Sequence, residues 1–330
     1  MDVTFRSAIR LDRRADEQET FLADVIAGLT DKPKRLSSKY FYDAAGSQLF
    51  EQITALPEYY PTRTEMRILR EQGPQIVGEL APGSTLVEFG SGSTAKVRVL
   101  LGAAPNIASY VPVDISAEFL NEEAARLQHD FPHLKVFPIA ADFTSLFELP
   151  AAVRGRPLVG FFPGSTIGNF EPHEAAAFLR RAARILGPHA TLMVGLDLVK
   201  DERVLHEAYN DAAGVTAAFN MNLLRRINRE LGADFDLDGF AHQAFYNPER
   251  ARIEMHLASL LRQKVHVAGR TIGFGVGETI HTENSYKYTT DRFSALARAS
   301  GWTPRAVFVD QDQLFSVHAL MANEKSAGRA

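Results

Sequence analysis

Three acidic residues at the ends of apolar segments are the first candidates for chemistry in this sequence. Glu88, Asp114 and Asp142 each lie at or just after a short apolar run that predicts a buried strand. The carboxyl ends of parallel strands meet at one edge of a sheet, where open α/β sheets bind their ligands. A carboxylate there suits the two hydroxyls of a ribose. Three such acids at successive strand ends indicate a site for a nucleoside-containing ligand.

A glycine turn follows the first of these strands. Gly90 and Gly92 allow a tight bend and a close approach of a ligand to the backbone, and a helical pattern begins near Ala95. The spacing Gly90, Gly92, Ala95 fits the looser form of the dinucleotide fingerprint. An acidic residue two positions before the first glycine, here Glu88, is typical of S-adenosylmethionine sites. The turn alone leaves both cofactor classes open.

Residues after the third and fourth predicted strands favour methyl transfer. Asp142 and Phe143 would offer an acceptor for an adenine amino group and a ring for its face, a pairing more characteristic of methyltransferases than of dehydrogenases. Asn169 and Phe170 follow the fourth strand, Leu158–Phe162, where a methyl acceptor should lie. Methyl transfer is an in-line attack by a neutral lone pair, so positioning matters more than strong acid–base chemistry. An asparagine carbonyl can hold an amine N–H and orient that lone pair.

Strand–helix alternation must position these residues. We predict strands at 85–87, 108–114, 136–140, 158–162 and 190–198, with helices between them. The chain closes with a helix over Thr290–Ala299 and strands at Arg305–Asp310 and Leu314–Met321, whose short connection forces antiparallel pairing. A doubly wound sheet that ends in one reversed strand resembles the class I methyltransferase core.

Other parts of the chain break this regularity. Two tyrosine-rich loops, Ser38–Asp43 and Leu56–Arg63, precede the glycine turn, and a helix is predicted over Thr64–Glu79. Aromatic residues in loops often contact a ligand, although some of these are expected to pack onto the main domain. Residues 201–285 contain two helices followed by short strands, which indicates an α+β insertion.

Composition limits the function classes. The 330 residues carry a formal net charge of −4, which argues against nucleic acid or an anionic membrane as the main partner. The chain has no cysteine, and its ten histidines show no paired spacing beside a carboxylate, so we predict no metal site. No apolar run reaches the length of a membrane span, and the N-terminus lacks the apolar core of a signal peptide. We expect a soluble cytoplasmic monomer.

Rare motifs then give a specific resemblance. The chain resembles the L-histidine Nα-methyltransferases of ergothioneine biosynthesis, which trimethylate the amino group of histidine to hercynine. The resemblance covers nearly the whole chain. It is carried by Tyr42-Asp43 with Gly46-Ser47 and Leu49-Phe50, by Leu56-Pro57-Glu58-Tyr59-Tyr60-Pro61-Thr62-Arg63, by Glu88-Phe89-Gly90-Ser91-Gly92, by Pro163-Gly164-Ser165-Thr166-Ile167-Gly168-Asn169-Phe170 and by Thr282-Glu283-Asn284-Ser285.

The resemblance implies a role for each matched residue. Residues 1–62 and 201–286 would form a substrate-binding domain, and residues 63–200 and 287–330 an S-adenosylmethionine-binding methyltransferase domain. Tyr42 and Asn169 would lie at the reacting amine. The cofactor would be bound by Tyr42, Gly90, Lys96, Asp114, Asp142 and Phe143. Histidine would be bound by Tyr59, Gly164, Asn169, Tyr209, Met255, Glu283 and Ser285.

Side-chain chemistry is consistent with histidine but leaves alternatives. Glu283 and Ser285 lie two apart on a predicted strand, so they would project from one face and meet an imidazole. A related enzyme for another aromatic amino acid is disfavoured because Glu283 would be poorly paired against an apolar ring. An NAD-dependent oxidoreductase is disfavoured by Glu88, by Asp142 with Phe143 and by the reversed last strand. A catalytically silent protein of the same fold is a further alternative.

Overall fold

A computed structural model describes residues 18–78, 80–115 and 117–324. The helices are α1 (18–30), α2 (Ala44–Ala55), α3 (Tyr60–Glu71), α4 (Gly73–Val77), α5 (Ala95–Ala103), α6 (Ala117–Asp130), α7 (Pro172–Leu186), α8 (Glu202–Tyr209), α9 (Val215–Leu231) and α10 (Thr290–Ala299). The strands are β1 (Lys34–Arg35), β2 (Ser84–Phe89), β3 (Ile107–Asp114), β4 (Lys135–Val136), β5 (Ile139–Ala140), β6 (Leu158–Phe162), β7 (Thr191–Asp197), β8 (Phe240–Asn247), β9 (Arg252–Ser259), β10 (Gln263–Val267), β11 (Arg270–Phe274), β12 (Thr279–Tyr286), β13 (Trp302–Val309) and β14 (Phe315–Ala322).

The chain divides into two compact units. The first unit comprises Met1–Tyr59, Glu202–Pro248 and Ile253–Asn284, of which residues 1–17 lie outside the described part. The second unit comprises Tyr60–Asp201, Glu249–Arg252 and Ser285–Ala330, of which Glu79, Ser116 and residues 325–330 lie outside it. The predicted roles of the two parts in binding substrate and cofactor stay predictions.

An eight-stranded sheet forms the centre of the second unit. Its order is β13-β14-β7-β6-β2-β3-β4, with β5 also paired to β3. Strands β7, β6, β2, β3 and β4 pair in parallel, whereas β14 runs antiparallel to both of its neighbours. This reversed strand near one edge is the predicted ending of a class I methyltransferase sheet, and the predicted fold class is confirmed.

Helices cover both faces of this sheet, which is why its central strands read as continuous apolar runs. Every residue of β2 is buried. Leu86 belongs to one apolar cluster together with Leu100 of α5, and Val87 belongs to a second cluster together with Phe178 of α7. Successive side chains of a strand point to opposite faces, so each face of β2 has its own core.

The first unit is α+β, as predicted. Strands β1, β12, β9 and β8 form a four-stranded sheet in that order, and β10 and β11 form a separate hairpin. Helices α2 and α9 pack together in this unit. No helix in the described ranges is both long enough and apolar enough to cross a membrane.

Three sequence-based element predictions are wrong. The predicted loop Leu56–Arg63 ends early, because α3 begins at Tyr60. Pro61 lies in the first turn of α3, where a backbone N–H would have no intrahelical acceptor, so the missing N–H of proline costs no hydrogen bond. The helix predicted over Thr64–Glu79 ends at Glu71, and the separate helix α4 follows it. The third strand, predicted over 136–140, is split into β4 and β5 by Phe137 and Pro138.

Candidate functional site

The glycine turn lies at the carboxyl end of β2, in the second unit. Gly90 has φ of +79°, a conformation that side-chain-bearing residues rarely adopt. A Cβ at this position would lie 3.2 Å from the Phe143 ring, so Gly90 also permits a close approach of that ring. At Gly92 a Cβ would meet nothing within 4 Å. The exposed space over Gly92 therefore leaves the backbone accessible to a ligand, which fits a cofactor seated on this turn.

Two acids flank the turn at the same sheet edge. Asp114 is the last residue of β3 and is half-buried, and its carbonyl accepts from the Ala141 N–H at 2.9 Å. This bond brings Asp142 next to the strand end. Asp142 is exposed, and its Oδ1 accepts from the backbone N–H and the hydroxyl of Thr144 at 2.7 and 2.6 Å. Together these contacts give the sheet edge two carboxylates, of which Asp142 directly precedes Phe143 in the chain.

Glu88 occupies a different position from the other two acids. It is 1% exposed and accepts from the Tyr110 hydroxyl, which lies 2.8 Å from the Ser91 hydroxyl. Burial raises the pKa of Glu88 to about 7, although the hydroxyls of Tyr110 and Ser91 act in the opposite direction. Glu88 therefore supports the turn from inside the sheet, which sets it apart from the half-buried Asp114 and the exposed Asp142 with which the sequence grouped it.

A buried carboxylate connects the predicted cofactor lysine to the loop after β6. Glu65 of α3 has no side-chain exposure and forms an ion pair of 2.6 Å with Lys96 of α5. The Gly164 N–H donates to both oxygens of the same carboxylate, at 2.9 and 3.1 Å. The Glu65 side chain also lies against Gly195, where a Cβ would come within 2.0 Å of it. The structure thus brings Lys96 and Gly164 together through a residue that the sequence did not single out.

The loop after β6 carries Asn169. Ser165 adopts φ of +57°, an uncommon conformation for a residue with a side chain, and its Oγ accepts from the Asp197 N–H at 2.9 Å. Gly168 packs against the Tyr286 backbone, where a Cβ would lie 2.8 Å from the carbonyl oxygen. These contacts hold the short 3-10 helix Thr166–Asn169 at the sheet edge. Asn169 is the last residue of this helix and is half-buried.

In the first unit, Tyr42 and Tyr59 lie on one aromatic cluster. The ring centroid of Phe50 is 5.7 Å from that of Tyr42 and 6.3 Å from that of Tyr59, both in edge-on geometry. Phe219 of α9 contacts Tyr42 and Phe50 at 5.8 and 6.0 Å. Tyr42 is 36% exposed at the border of this cluster. The structure therefore brings together two of the predicted site tyrosines and presents one of them to solvent.

Asp43 fixes the chain directly after Tyr42. It caps α2 by accepting from the Gly46 N–H at 2.8 Å, and it also accepts from Asn222 at 2.8 Å and Arg229 at 2.6 Å. Burial opposes ionisation of Asp43, but these donors outweigh it and lower its pKa. A Cβ on Gly46 would lie 1.7 Å from the Phe41 carbonyl oxygen, so only glycine fits there. The Asp43 and Gly46 motif thus sets the position of Tyr42.

Tyr209 and Met255 are connected by a buried polar network in the same unit. The Asn220 amide donates to His242 Nδ1 at 2.9 Å, which leaves His242 Nε2–H to donate to the Tyr209 carbonyl at 2.9 Å. Thr282 donates to Asn220 Oδ1 at 2.7 Å and contacts the Met255 carbonyl at 3.0 Å. Burial lowers the pKa of His242, consistent with the neutral ring that this network requires.

Glu283 is half-buried on β12 of the first unit, and its carbonyl lies 3.1 Å from His281 Nε2.

The side chains of Glu254, His256 and His281 place possible metal ligands within 4.8 Å of one another. The His256 and His281 rings stack with centroids 4.7 Å apart and an interplanar angle of 13°. Nitrogen lone pairs lie in the ring plane, so stacked rings direct them side by side instead of at one ion. The proximity of Glu254, His256 and His281 is therefore better explained by stacking of the two histidine rings than by a metal site.

Sequence reasoning missed several residues of the site. Glu65 and Asp197 are far along the chain from the loop residues they hold, and no local pattern connects them to Gly164 or Ser165. Phe50 stands in a motif that carries the family resemblance, and Phe219 lies on the apolar face of α9. A search of the sequence for aromatic partners of Tyr42 could have suggested both phenylalanines. Only the structure shows that they contact the Tyr42 ring.

The strand order is that of a class I S-adenosylmethionine-dependent methyltransferase. A family model described as histidine-specific, S-adenosylmethionine-dependent methyltransferase matches residues 21–322, and the chain belongs to this family. It is 46% identical over 289 residues to histidine N-alpha-methyltransferase of Mycolicibacterium smegmatis, covering 86% of this chain and 89% of that protein. It is 43% identical over 295 residues to the protein of the same name from Mycobacterium tuberculosis, covering 86% and 91%. Ergothioneine biosynthesis protein 1 of Neurospora crassa is 30% identical over 291 residues, covering 82% of this chain and 31% of that protein.

Proposed function

We propose that this protein methylates the α-amino group of L-histidine three times with S-adenosylmethionine and so forms hercynine for ergothioneine biosynthesis. The observation that carries the proposal is the histidine-specific family match over residues 21–322, on a chain with the methyltransferase strand order. The high identity to two histidine N-alpha-methyltransferases over most of both chains supports the same substrate.

The cofactor would lie on the glycine turn. S-adenosylmethionine supplies a methyl group on a positively charged sulfur, which a neutral amine can attack. Asp114 suits the ribose hydroxyls, because it ends the second parallel strand. Asp142 would accept from the adenine amino group, and the Phe143 ring would cover one face of the base. Gly90, Lys96 and Tyr42 complete the proposed cofactor set.

The amino acid would be held by polar groups at both of its ends. Asn169 would bind the amino and carboxylate groups, with Gly164 beside it and Tyr209 on the carboxylate. The imidazole would meet Tyr59, Glu283 and Ser285, and Met255 would line the pocket.

Reactivity of the amine depends on its protonation and orientation. The α-amine must lose a proton before it attacks, since an ammonium group has no lone pair. In the first two transfers the Asn169 carbonyl would accept one amine N–H and hold the nitrogen lone pair in line with the methyl group. Tyr42 or solvent would take the proton.

The test is a competition among substrates. Purified protein is incubated with S-adenosylmethionine and an equimolar mixture of the twenty amino acids, and the products are identified by mass. We expect a gain of three methyl groups on histidine alone. Methylation of tryptophan or tyrosine instead would retain the chemistry and reject the substrate. Cofactor binding without any product would support a catalytically silent member of the family.

A further inference from the structure

Ser285, the proposed imidazole contact, is supported by a buried ionic cluster at the end of β7. The cluster comprises Asp197, Lys287, Lys200 and Tyr60, all in the second unit. Lys287 Nζ lies 2.8 Å from Asp197 Oδ2 and donates to Ser285 Oγ at 2.7 Å. The side chain of Lys287 has no exposure, and Ser285 is 4% exposed. The Lys287 ammonium therefore contacts both the Asp197 carboxylate and the Ser285 hydroxyl.

The other members of the cluster fix Lys287 in place. Tyr60 donates to Asp197 at 2.8 Å, and Lys200 donates to the Tyr60 oxygen at 2.7 Å and forms an ion pair with Asp197. Burial opposes ionisation of Asp197, but Lys287 and Lys200 outweigh it and lower its pKa. The carboxylate is therefore charged, and it anchors the fully buried ammonium group of Lys287.

We propose that Lys287 is a positioning residue that makes Ser285 a hydrogen-bond donor to the substrate ring. This inference rests on the proposed function, since it takes Ser285 as the contact of the histidine imidazole. A hydroxyl has one donor and two acceptor positions, and the ammonium of Lys287 uses an acceptor position. Its positive charge also disfavours a second N–H donor at the same oxygen and polarises the O–H bond.

Substrate selection follows from this direction of donation. A neutral imidazole has one N–H and one bare nitrogen that accepts, whereas a protonated imidazole has two N–H groups and no acceptor. Ser285 would donate to the bare nitrogen, and the carboxylate of Glu283 would accept from the N–H. The Ser285 and Lys287 pair thus selects a ring with an acceptor nitrogen and excludes rings that present only N–H or C–H groups.

A double-mutant cycle tests whether Lys287 acts through Ser285. We would measure KM and kcat for histidine, together with the Kd for S-adenosylmethionine, in Lys287→Met, Ser285→Ala and the double variant. Loss of a polarised hydrogen bond is expected to raise KM about tenfold, corresponding to about 1.4 kcal/mol, with the cofactor Kd unchanged. In the Ser285→Ala background, Lys287→Met should change KM less than about twofold. An equal rise in both backgrounds would overturn the proposal.

Lys200→Met is the matched control. Lys200 pairs with the same carboxylate and is nearly as buried, but its contacts in the cluster are Asp197, Tyr60 and the Leu198 carbonyl. We expect its KM for histidine to stay within about twofold of wild type, since Ser285 keeps its lysine. A rise as large as that of Lys287→Met would show that loss of the cluster, and not orientation of Ser285, causes the effect.

A substrate analogue keeps the proposal testable if Lys287→Met does not fold. A pyrrolylalanine has a ring N–H but no acceptor nitrogen. Wild-type protein should discriminate histidine from this analogue about tenfold by KM, and Ser285→Ala should lose that discrimination. Retained discrimination in Ser285→Ala would overturn the donor assignment. Failure of wild type to methylate histidine would reject the proposed function and this inference together, whereas activity without coupling would reject only the inference.

Discussion

Replacement of Glu88 by glutamine should make the second unit less sensitive to alkaline pH. Burial raises the pKa of Glu88 from an ordinary value of 4.5 to about 7. The folded protein therefore binds the proton more tightly than the unfolded chain does, and stability decreases as pH rises between these two values. At about 1.36 kcal/mol for each pKa unit, the full cost of ionising this buried group is about 3 kcal/mol.

The assay is denaturant unfolding followed by the fluorescence of Trp302. This is the single tryptophan of the sequence, and it is fully buried in the second unit, the unit that contains Glu88. From about pH 5 to about pH 8, the free energy of unfolding should fall by about 2 to 3 kcal/mol more in wild type than in Glu88→Gln. Other groups that titrate in this range are common to both proteins and cancel in the difference.

The sign and the size of this difference are both tests. An equal stability difference between the two proteins at both pH values would show that Glu88 does not titrate in this range and would refute the reasoning. Tyr110→Phe is the companion variant, because the Tyr110 hydroxyl donates to Glu88 and restrains its pKa. Its loss should steepen the pH dependence, opposite to the effect of Glu88→Gln.

Three further predictions concern two proposed binding residues and the packing of Gly195 against Glu65. Glu283→Ala should raise KM for histidine about tenfold or more through loss of a charged hydrogen bond. Competition between histidine and tryptophan as substrates would show the lost selectivity. Unchanged histidine affinity would contradict the proposed recognition of the imidazole by Glu283. Asn169→Ala should lose most histidine binding while calorimetry shows S-adenosylmethionine binding largely intact, and parallel loss of both ligands would contradict a substrate role. Gly195→Ala should lower the free energy of unfolding by about 1–3 kcal/mol, because the new Cβ would come within 2.0 Å of Glu65; unchanged denaturation by Trp302 fluorescence would show that Glu65 can move aside.

Local sequence patterns were sufficient for most elements of the fold. Helices were predicted between the strands and within residues 201–285, and α7 and α9 lie there because each has a regular apolar face and a clear start and stop. The short connection before Leu314 correctly predicted the antiparallel pairing of β14. The start of α3 was missed because proline marks loops and also the first turns of helices, and local sequence does not separate these cases.

The contacts that position the site could not be predicted in the same way. Glu65 and Gly164 are 99 residues apart, and nothing in the spacing of either residue indicates the other. Lys287 resembles a surface residue in sequence, since lysine is seldom fully buried. The fold explains the burial of Lys287, because β7 and the end of β12 place Asp197 and Ser285 in contact with its ammonium group. Local patterns predict which residues form strands, whereas the partners of a buried charge depend on the strand order.

Three of the buried carboxylates of the second unit, Glu65, Glu88 and Asp197, show how partners decide the effect of a substitution. Glu65 is paired with Lys96, and Asp197 with Lys287 and Lys200, whereas Glu88 is held by hydroxyl groups. Removal of the charge on Glu65 or Asp197 would leave a buried ammonium without its counter-charge, which is strongly destabilising. Removal of the charge on Glu88 would instead relieve a desolvation cost. Among these three acids, replacement by a neutral side chain is therefore expected to raise stability at alkaline pH only for Glu88, whose carboxylate has no direct cationic partner.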